Sequence, residues 1–271
     1  MKKNMENEMP NSKLDRISPS MVADYMSCPL CFYYRYIAKI RLPQKQIHLL
    51  FGSAIHLGIE HIYDNSDPYE PFIKAFDINR LNDDEKEMHV EYLGLGQEML
   101  KNYQSEHPLL NELFNLHGGE SEKYFRRKLI NPMTGEESSL PYAGKIDRLT
   151  TNIIEYKTAG KKWNPDDVPF KVQTLIYNLW FYSEFGYLPD ETVYIILLKK
   201  YKKVELKTKT KINQTIQVLT NHCTLNDLAS IFDEVELILD KINKGQFERP
   251  RGGWHPVWCD CYKFEEILAL K

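Results

Sequence analysis

Two runs of strand period lie so close together in mid-chain that they have to pair with each other. Ser139 to Thr150 and Ile153 to Lys157 are joined only by Thr151-Asn152, a linker that permits an antiparallel hairpin and little else. Glu122 to Leu129 reads as a strand before it, closed by the turn Asn131-Pro132-Met133-Thr134-Gly135. After the hairpin comes a helical stretch from about Asp166 to Phe185. The β-branched apolar run Thr192 to Leu198 follows, with Val204-Glu205-Leu206 as its expected hairpin partner. Strand, helix and strand in succession demand a crossover, so a mixed sheet is expected.

Helical period governs both flanks. Ser18-Pro19 is an N-cap with proline at the first helical position, opening a run through Tyr36. Gln46 to Tyr63 presents a broad apolar face, and Asn82-Asp83-Asp84 caps a third helix running toward Gln104. A last amphipathic helix spans about Leu225 to Lys244, followed by an irregular aromatic tail from Phe247. The expected fold class is α/β: a mixed central sheet flanked by helices, with an N-terminal helical region and a C-terminal tail. Residues 1–17 are expected to be a disordered leader and 18–271 one domain, divided into a helical part (18–115), a core (116–215) and a C-terminal helix and tail (216–271).

Charge excludes one class of partner. With 35 Lys+Arg against 38 Asp+Glu the net charge is −3, so the chain is no globally basic nucleic-acid binder, although local basic surfaces remain open. Arg126-Arg127-Lys128 is one such cluster. Another is the lysine-rich stretch Lys199, Lys200, Lys202, Lys203, Lys207, Lys209 and Lys211, which reads equally as phosphate contacts or as guards on a strand edge. No window approaches ~18 consecutive apolar residues, so no membrane span is expected. The polar start lacks a signal-peptide core, and a cytoplasmic location is expected. Five cysteines in such a chain argue against a disulfide framework.

Chemistry concentrates in Gly144-Lys145-Ile146-Asp147-Arg148-Leu149 and Ile153-Ile154-Glu155-Tyr156-Lys157-Thr158. Strand period puts Glu155 and Lys157 on one face and Ile154 and Tyr156 on the other. Asp147, on the preceding strand, can approach Glu155 across the hairpin. Two carboxylates hold a hard divalent cation, and a lysine beside them orients water or neutralises charge developing on a phosphate. Taken alone, such a triple also reads as solubilising edge charge. Glu122 offers a further carboxylate or a solvated charge. His56 stands on an otherwise apolar helix, and Gln173 and Tyr177 share one helix face four residues apart.

In this order the motifs resemble the PD-(D/E)XK nuclease superfamily, and most closely its RecB-like branch, which includes recombination nucleases, phage exonucleases and CRISPR-adaptation nucleases. Gly52-Ser53-Ala54-Ile55-His56 is similar to the G-x-x-H element, Gly144 to Leu149 to the aspartate strand, Ile153 to Thr158 to the E-x-K strand, and Gln173 to Tyr177 to the Q-x-x-x-Y helix. The resemblance implies a restriction-endonuclease-like core and a metal-dependent DNA nuclease, an exonuclease in preference to an endonuclease. It implies His56, Asp147 and Glu155 as ligands of Mg²⁺ or Mn²⁺, Lys157 as the catalytic lysine, and Gln173 and Tyr177 as groups that position the phosphate or the lysine. Lys161, Lys162 and Trp163 follow directly and offer charge with an aromatic platform for DNA. A DNA substrate and a helicase, recombinase or CRISPR-adaptation partner are the expected associations. The competing class is a catalytically silent DNA-binding or scaffold module.

Several members of that branch tie the N-terminal helix to the tail with a 4Fe–4S cluster. Cys28 matches its first ligand, and Cys259 and Cys261 lie where tail ligands belong, but as C-x-C with no third cysteine after them. Cys31 is the candidate fourth. Four thiolates hold a cluster or zinc, and reduced packing cysteines are the simpler alternative. Cys223, alone in sequence, is expected to be a packing residue.

Overall fold

The computed structural model describes residues 14–42, 46–168, 171–199, 215–249 and 259–269. The first helix, α1 (Pro19–Ser27), is capped by the Ser18 hydroxyl, which accepts from the Met21 N–H at 3.3 Å. It does not continue to Tyr36. Cys28 is extended (φ −163°, ψ 105°), as a residue preceding proline tends to be. Pro29 then opens a second short helix, α2 (Pro29–Phe32), followed by a wide π-type turn over Tyr33–Ile37.

The next helix, α3 (Gln46–Tyr63), has the expected bounds and buries Ile47, Phe51, Ala54, Ile55 and Ile59. A short α4 (Tyr69–Ala75) leads to the long α5 (Asp83–Phe114). A reciprocal capping box between Asn82 and Glu85 starts α5, and Asn115 in the left-handed conformation (φ 51°) ends it. It extends ten residues past the expected Gln104. Pro108 lies inside it, and burial of Leu110 beyond that proline offsets the lost backbone hydrogen bond.

Five strands form one sheet in sequence order: β1 (Glu120–Arg127), β2 (Tyr142–Leu149), β3 (Ile153–Ala159), β4 (Thr192–Leu198) and β5 (Ile216–Asn221). All neighbouring pairs are antiparallel except β3 and β4, which are parallel. Their crossover is α6 (Val172–Phe185). That helix begins at Val172, because Pro165–Asp167 makes a separate 3-10 turn capped by Asn164. The antiparallel partner of β4 is Ile216–Asn221, paired from Thr192↔Asn221 to Leu197↔Ile216. The expected partner Val204 to Leu206 and the lysines from Lys200 to Lys211 lie outside the described residues, as does most of the expected leader.

Each sheet face carries its own apolar layer. Ile154, Tyr156, Val193, Ile195 and Leu197 pack against α3, α4 and α5. On the opposite face, Phe125, Ile146 and Ile153 pack against α1, α6 and α7 (Leu225–Asn243). The tail is not wholly irregular: α8 (Cys261–Ala269) ends the described chain and docks near α2. The expected mixed sheet, its flanking helices and the N-terminal helical region are all present. No helix among the described residues is long and apolar enough to cross a membrane.

Candidate active site and cysteine cluster

The site sits where the central hairpin opens. β2 and β3 pair only at Arg148↔Ile154 and Leu149↔Ile153, next to the turn, and then diverge. The start of β2 is held instead by Ile17, which donates to the Pro141 carbonyl at 2.9 Å and accepts from the Ala143 N–H at 2.8 Å. Buried backbone groups in the gap still need partners, and side chains supply them. The Tyr177 hydroxyl donates to the Lys145 carbonyl (2.7 Å), and the Tyr156 N–H donates to Asp147 Oδ2 (2.8 Å). Gly144 makes room for this: a Cβ there would lie 2.7 Å from the Phe125 ring and 3.0 Å from Tyr177 Cε1.

Two sets of polar groups meet in the opening. On the α3 side, His56 Nδ1 lies 3.3 Å from Asp147 Oδ1. On the α6 side, Glu155 Oε2 accepts from Lys157 Nζ (2.6 Å) and Gln173 Nε2 (3.0 Å), and Gln173 also donates to the Tyr177 hydroxyl (3.1 Å). Strand alternation thus aims Glu155 and Lys157 together, and Gln173 and Tyr177 reach them from one face of α6. Glu155 is 1% exposed, and its Oε1 is buried without a partner.

Burial raises the Glu155 pKa, the Asp147 charge adds to the rise, and Lys157 and His56 only partly offset it. Asp147 moves the other way. Burial opposes its charge, but the His56 hydrogen bond and charge, Lys157 and the Tyr156 N–H together hold it below the ordinary carboxylate range. Lys157 is desolvated too, yet the attraction of Glu155 and Asp147 outweighs the loss and raises its pKa. One carboxyl held charged, one pushed toward its proton and a firmly protonated lysine share a single opening.

The metal-competent donors within 4.8 Å of one another are His56, Glu122 and Asp147. Glu155 is not in that group, because its carboxylate turns toward Lys157 and Gln173. Sequence reasoning left Glu122 between ligand and solvated charge. Continuing the β1–β2 register places it opposite Asp147, between Ser121↔Arg148 and Lys123↔Ile146. Its backbone is left-handed (φ 54°) in mid-strand, a strained state that surroundings must enforce, and its carboxylate is ion-paired with Lys145. One imidazole and two carboxylates, partly open to solvent, suit Mn²⁺ or Mg²⁺, and the orphaned Glu155 Oε1 marks an acceptor still lacking a proton or cation. These residues fit a divalent ion.

The support behind the site is polar but buried. The hydroxyls of Tyr63 on α3, Tyr103 on α5 and Tyr156 on β3 hydrogen-bond to one another, with Tyr103 and Tyr156 3.2 Å apart. They join the helix bearing His56 to the strand bearing Glu155 and Lys157. Lys161 and Lys162 are exposed. Trp163 is partly buried, with Lys171 Nζ 4.1 Å from its ring centroid, the Tyr194 ring at 5.5 Å and its backbone N–H donating to Gln217 Oε1.

A family model of the PD-(D/E)XK nuclease superfamily matches residues 16–262. The chain belongs to the PD-(D/E)XK nuclease superfamily. Among solved structures it is similar to a Eubacterium rectale protein described as a candidate exonuclease, with a TM-score of 0.54 at 13% identity over 97% of this chain and 93% of that one. A second similar structure is that of SSO0001, with a TM-score of 0.41 at 14% identity over 93% and 86% of the two chains. No curated protein matches.

A second donor cluster lies outside this site. Cys28, at the break between α1 and α2, and Cys31 on α2 meet Cys259 and Cys261 at the start of α8. Cys31 Sγ lies 3.1 Å from Cys261 Sγ and 3.3 Å from Cys259 Sγ, and Cys28 Sγ lies 3.4 Å from Cys261 Sγ. All four are buried and lie against Tyr34 and Phe264. Arg35 closes the rim, pairing with Asp24 at 2.9 Å and Asp260 at 2.7 Å. Four converging thiols from α2 and α8 and the residues just before them are a donor set that could hold a soft metal, as zinc or as iron–sulfur. Cys223 is buried in the α6–α7 core, where its sulfur accepts from Asn221 Nδ2 at 3.3 Å.

Proposed function

We propose that this nuclease is a metal-dependent deoxyribonuclease of the RecB-like branch, hydrolysing phosphodiester bonds at DNA ends or in single strands, with exonuclease favoured over endonuclease. One observation carries the reading: Lys157, fixed at 2.6 Å from the buried Glu155, stands beside an open donor cluster of His56, Glu122 and Asp147. A decorative edge charge would be exposed and loosely held, whereas Glu155 is buried, Lys157 and His56 are each held by a carboxylate, and Glu122 is strained.

His56, Asp147 and Glu122 would hold the divalent ion, with Glu155 Oε1 available beside them. When bound, such an ion polarises the phosphate and makes water more acidic. The protein's own part is positional and electrostatic. Lys157, kept protonated by its acidic neighbours, donates to phosphate oxygen or to the attacking water and offsets negative charge gained in the transition state. Gln173 and Tyr177 lock Glu155, and through it Lys157. Water adds to phosphorus and one ester oxygen departs, leaving a phosphomonoester and a hydroxyl end. Lys161 and Lys162 extend a cationic surface from the end of β3 toward the nucleic-acid backbone.

The end-acting preference is supported by the G-x-x-H element at Gly52–His56. The sequence carries no P-loop, so unwound DNA would come from a helicase, recombinase or CRISPR-adaptation partner, in recombination, repair or adaptation. The four cysteines would bind a metal that clamps the chain's two ends, a 4Fe–4S cluster by the resemblance. A brown air-free preparation containing iron and sulfide supports that cluster, and stoichiometric zinc replaces it.

The test is cleavage of end-labelled single- and double-stranded DNA with Mn²⁺ or Mg²⁺, comparing wild type with Lys157→Ala. Cleavage that disappears in the variant and with chelator is expected. DNA binding without cleavage under any divalent metal would overturn the enzyme reading in favour of a silent module.

A further inference from the structure

Strand alternation on β1 buries Phe125 against Trp180, with ring centroids 4.9 Å apart, and sends Tyr124 to the opposite face, where it is 61% exposed. That face is covered over β3 and β4 by α3 and α5, α3 reaches β2 through His56 and Asp147, and Tyr124 on β1 stands clear of them. Tyr124 is paired with Lys145 in the β1–β2 register. Both line a groove of about 600 Å³, together with Arg16, Tyr36 and Lys39 and with Asp15 as its acid. Lys145 also lines the adjoining hollow that contains His56 and Glu122, so the groove leads directly to the donor cluster. Tyr124 is two residues from Glu122 on the same strand, a step of roughly 7 Å and about the reach of one nucleotide in an extended strand.

We propose that this groove holds single-stranded DNA, with the base next to the scissile phosphate stacked on Tyr124. The inference rests on the nuclease reading and adds the subsite that would select the form of the substrate. Arg16, Lys39 and Lys145, the last shared with Glu122, against Asp15 leave the groove cationic enough to suit a phosphate backbone. A lone ring standing clear of the sheet offers a π-face that any unpaired base can use, whereas bases within a duplex are already stacked on their neighbours. Trp163 is poorly placed for that role, since Lys171 and Tyr194 already occupy its ring.

The experiment measures anisotropy of labelled oligo(dT) and of a blunt duplex in EDTA, alongside Mn²⁺-dependent hydrolysis of bis(p-nitrophenyl) phosphate, a substrate with no base. Tyr124→Ala is expected to weaken oligo(dT) binding roughly tenfold, to leave duplex binding within about twofold, and to hydrolyse the small diester at the wild-type rate. Tyr124→Trp should restore oligo(dT) binding, which separates stacking from a folding defect. Unchanged oligo(dT) binding in Tyr124→Ala, or equal losses for oligo(dT) and duplex, overturns the platform while the diester activity keeps the nuclease reading standing. A wild type that neither hydrolyses the diester nor binds DNA removes both.

Discussion

The two donor clusters of this protein differ in how they are assembled and in what surrounds them. His56, Glu122 and Asp147 are partly exposed and come from a helix and two adjacent strands, with a lysine–carboxylate pair alongside. Cys28, Cys31, Cys259 and Cys261 are buried, with Arg35 bridging Asp24 and Asp260 at the edge. An ion held by the first cluster would have room for water and phosphate beside it, which suits chemistry. An ion in the second would have a complete protein shell, which suits fastening rather than turnover. On the proposed reading, hydrolysis and the tying of α2 to α8 fall to separate centres, so each should be removable without the other.

The largest effect expected from breaking that division is at the open cluster. Asp147→Ala or Lys157→Ala should lower the DNA cleavage rate by at least 10²–10³-fold, the order lost with one transition-state charge partner, with a melting temperature within a few degrees of wild type. Cys261→Ser should do the reverse. Its melting temperature should fall by roughly 10 °C, while cleavage per folded molecule, assayed well below that temperature, stays near the wild-type rate. If Cys261→Ser abolished cleavage without changing the melting curve, the cysteine centre would have to take part in the reaction and the division would fail.

A smaller effect sharpens the open side. Glu122→Gln should raise the Mn²⁺ concentration for half-maximal cleavage about tenfold, with little change in rate at saturating metal. An unaltered metal titration would return Glu122 to the status of a surface charge.

A further prediction probes the packing behind that cluster. His107 is 6% exposed beside Tyr63, Tyr103 and His117, and burial, aided by the charges of His117 and Arg148, pushes its pKa down to about 4. The unfolded chain takes up this proton below about pH 6.5, whereas the folded protein resists until about pH 4. Stability should therefore decline as pH falls through that window, by up to about 3 kcal/mol from this group. In His107→Gln the urea midpoint should vary less between those pH values. An identical pH dependence in the variant would show that other groups govern the acid limb.

Much of the open site was legible because it is local. Side-chain alternation on β3 identified Glu155 and Lys157 as one face, the short turn after Leu149 placed Asp147 opposite, and four-residue spacing joined Gln173 to Tyr177. Glu122 was harder. Its strand was visible, but its place opposite Asp147 depends on the β1–β2 register, which the residues between Leu129 and Tyr142 do not reveal by period alone. The run from Ser18 looked continuous by period, yet the extended Cys28 before Pro29 broke it. Helix α5 outran its expected end because burial of Leu110 carried it through Pro108.

The sequence by itself determined the mixed sheet, its flanking helices and the pairing of acid and lysine on β3, because alternation and helical period act between residues a few positions apart. Only the tertiary structure decided that β2 and β3 separate two pairs beyond the turn, that Tyr177 and Asp147 satisfy the backbone groups left in the gap, and that Glu122 joins His56. It also brought Cys31 to Cys259 across 228 positions. No local period encodes such meetings. They follow from packing α8 against α2 and from the demand that each buried polar group find a partner.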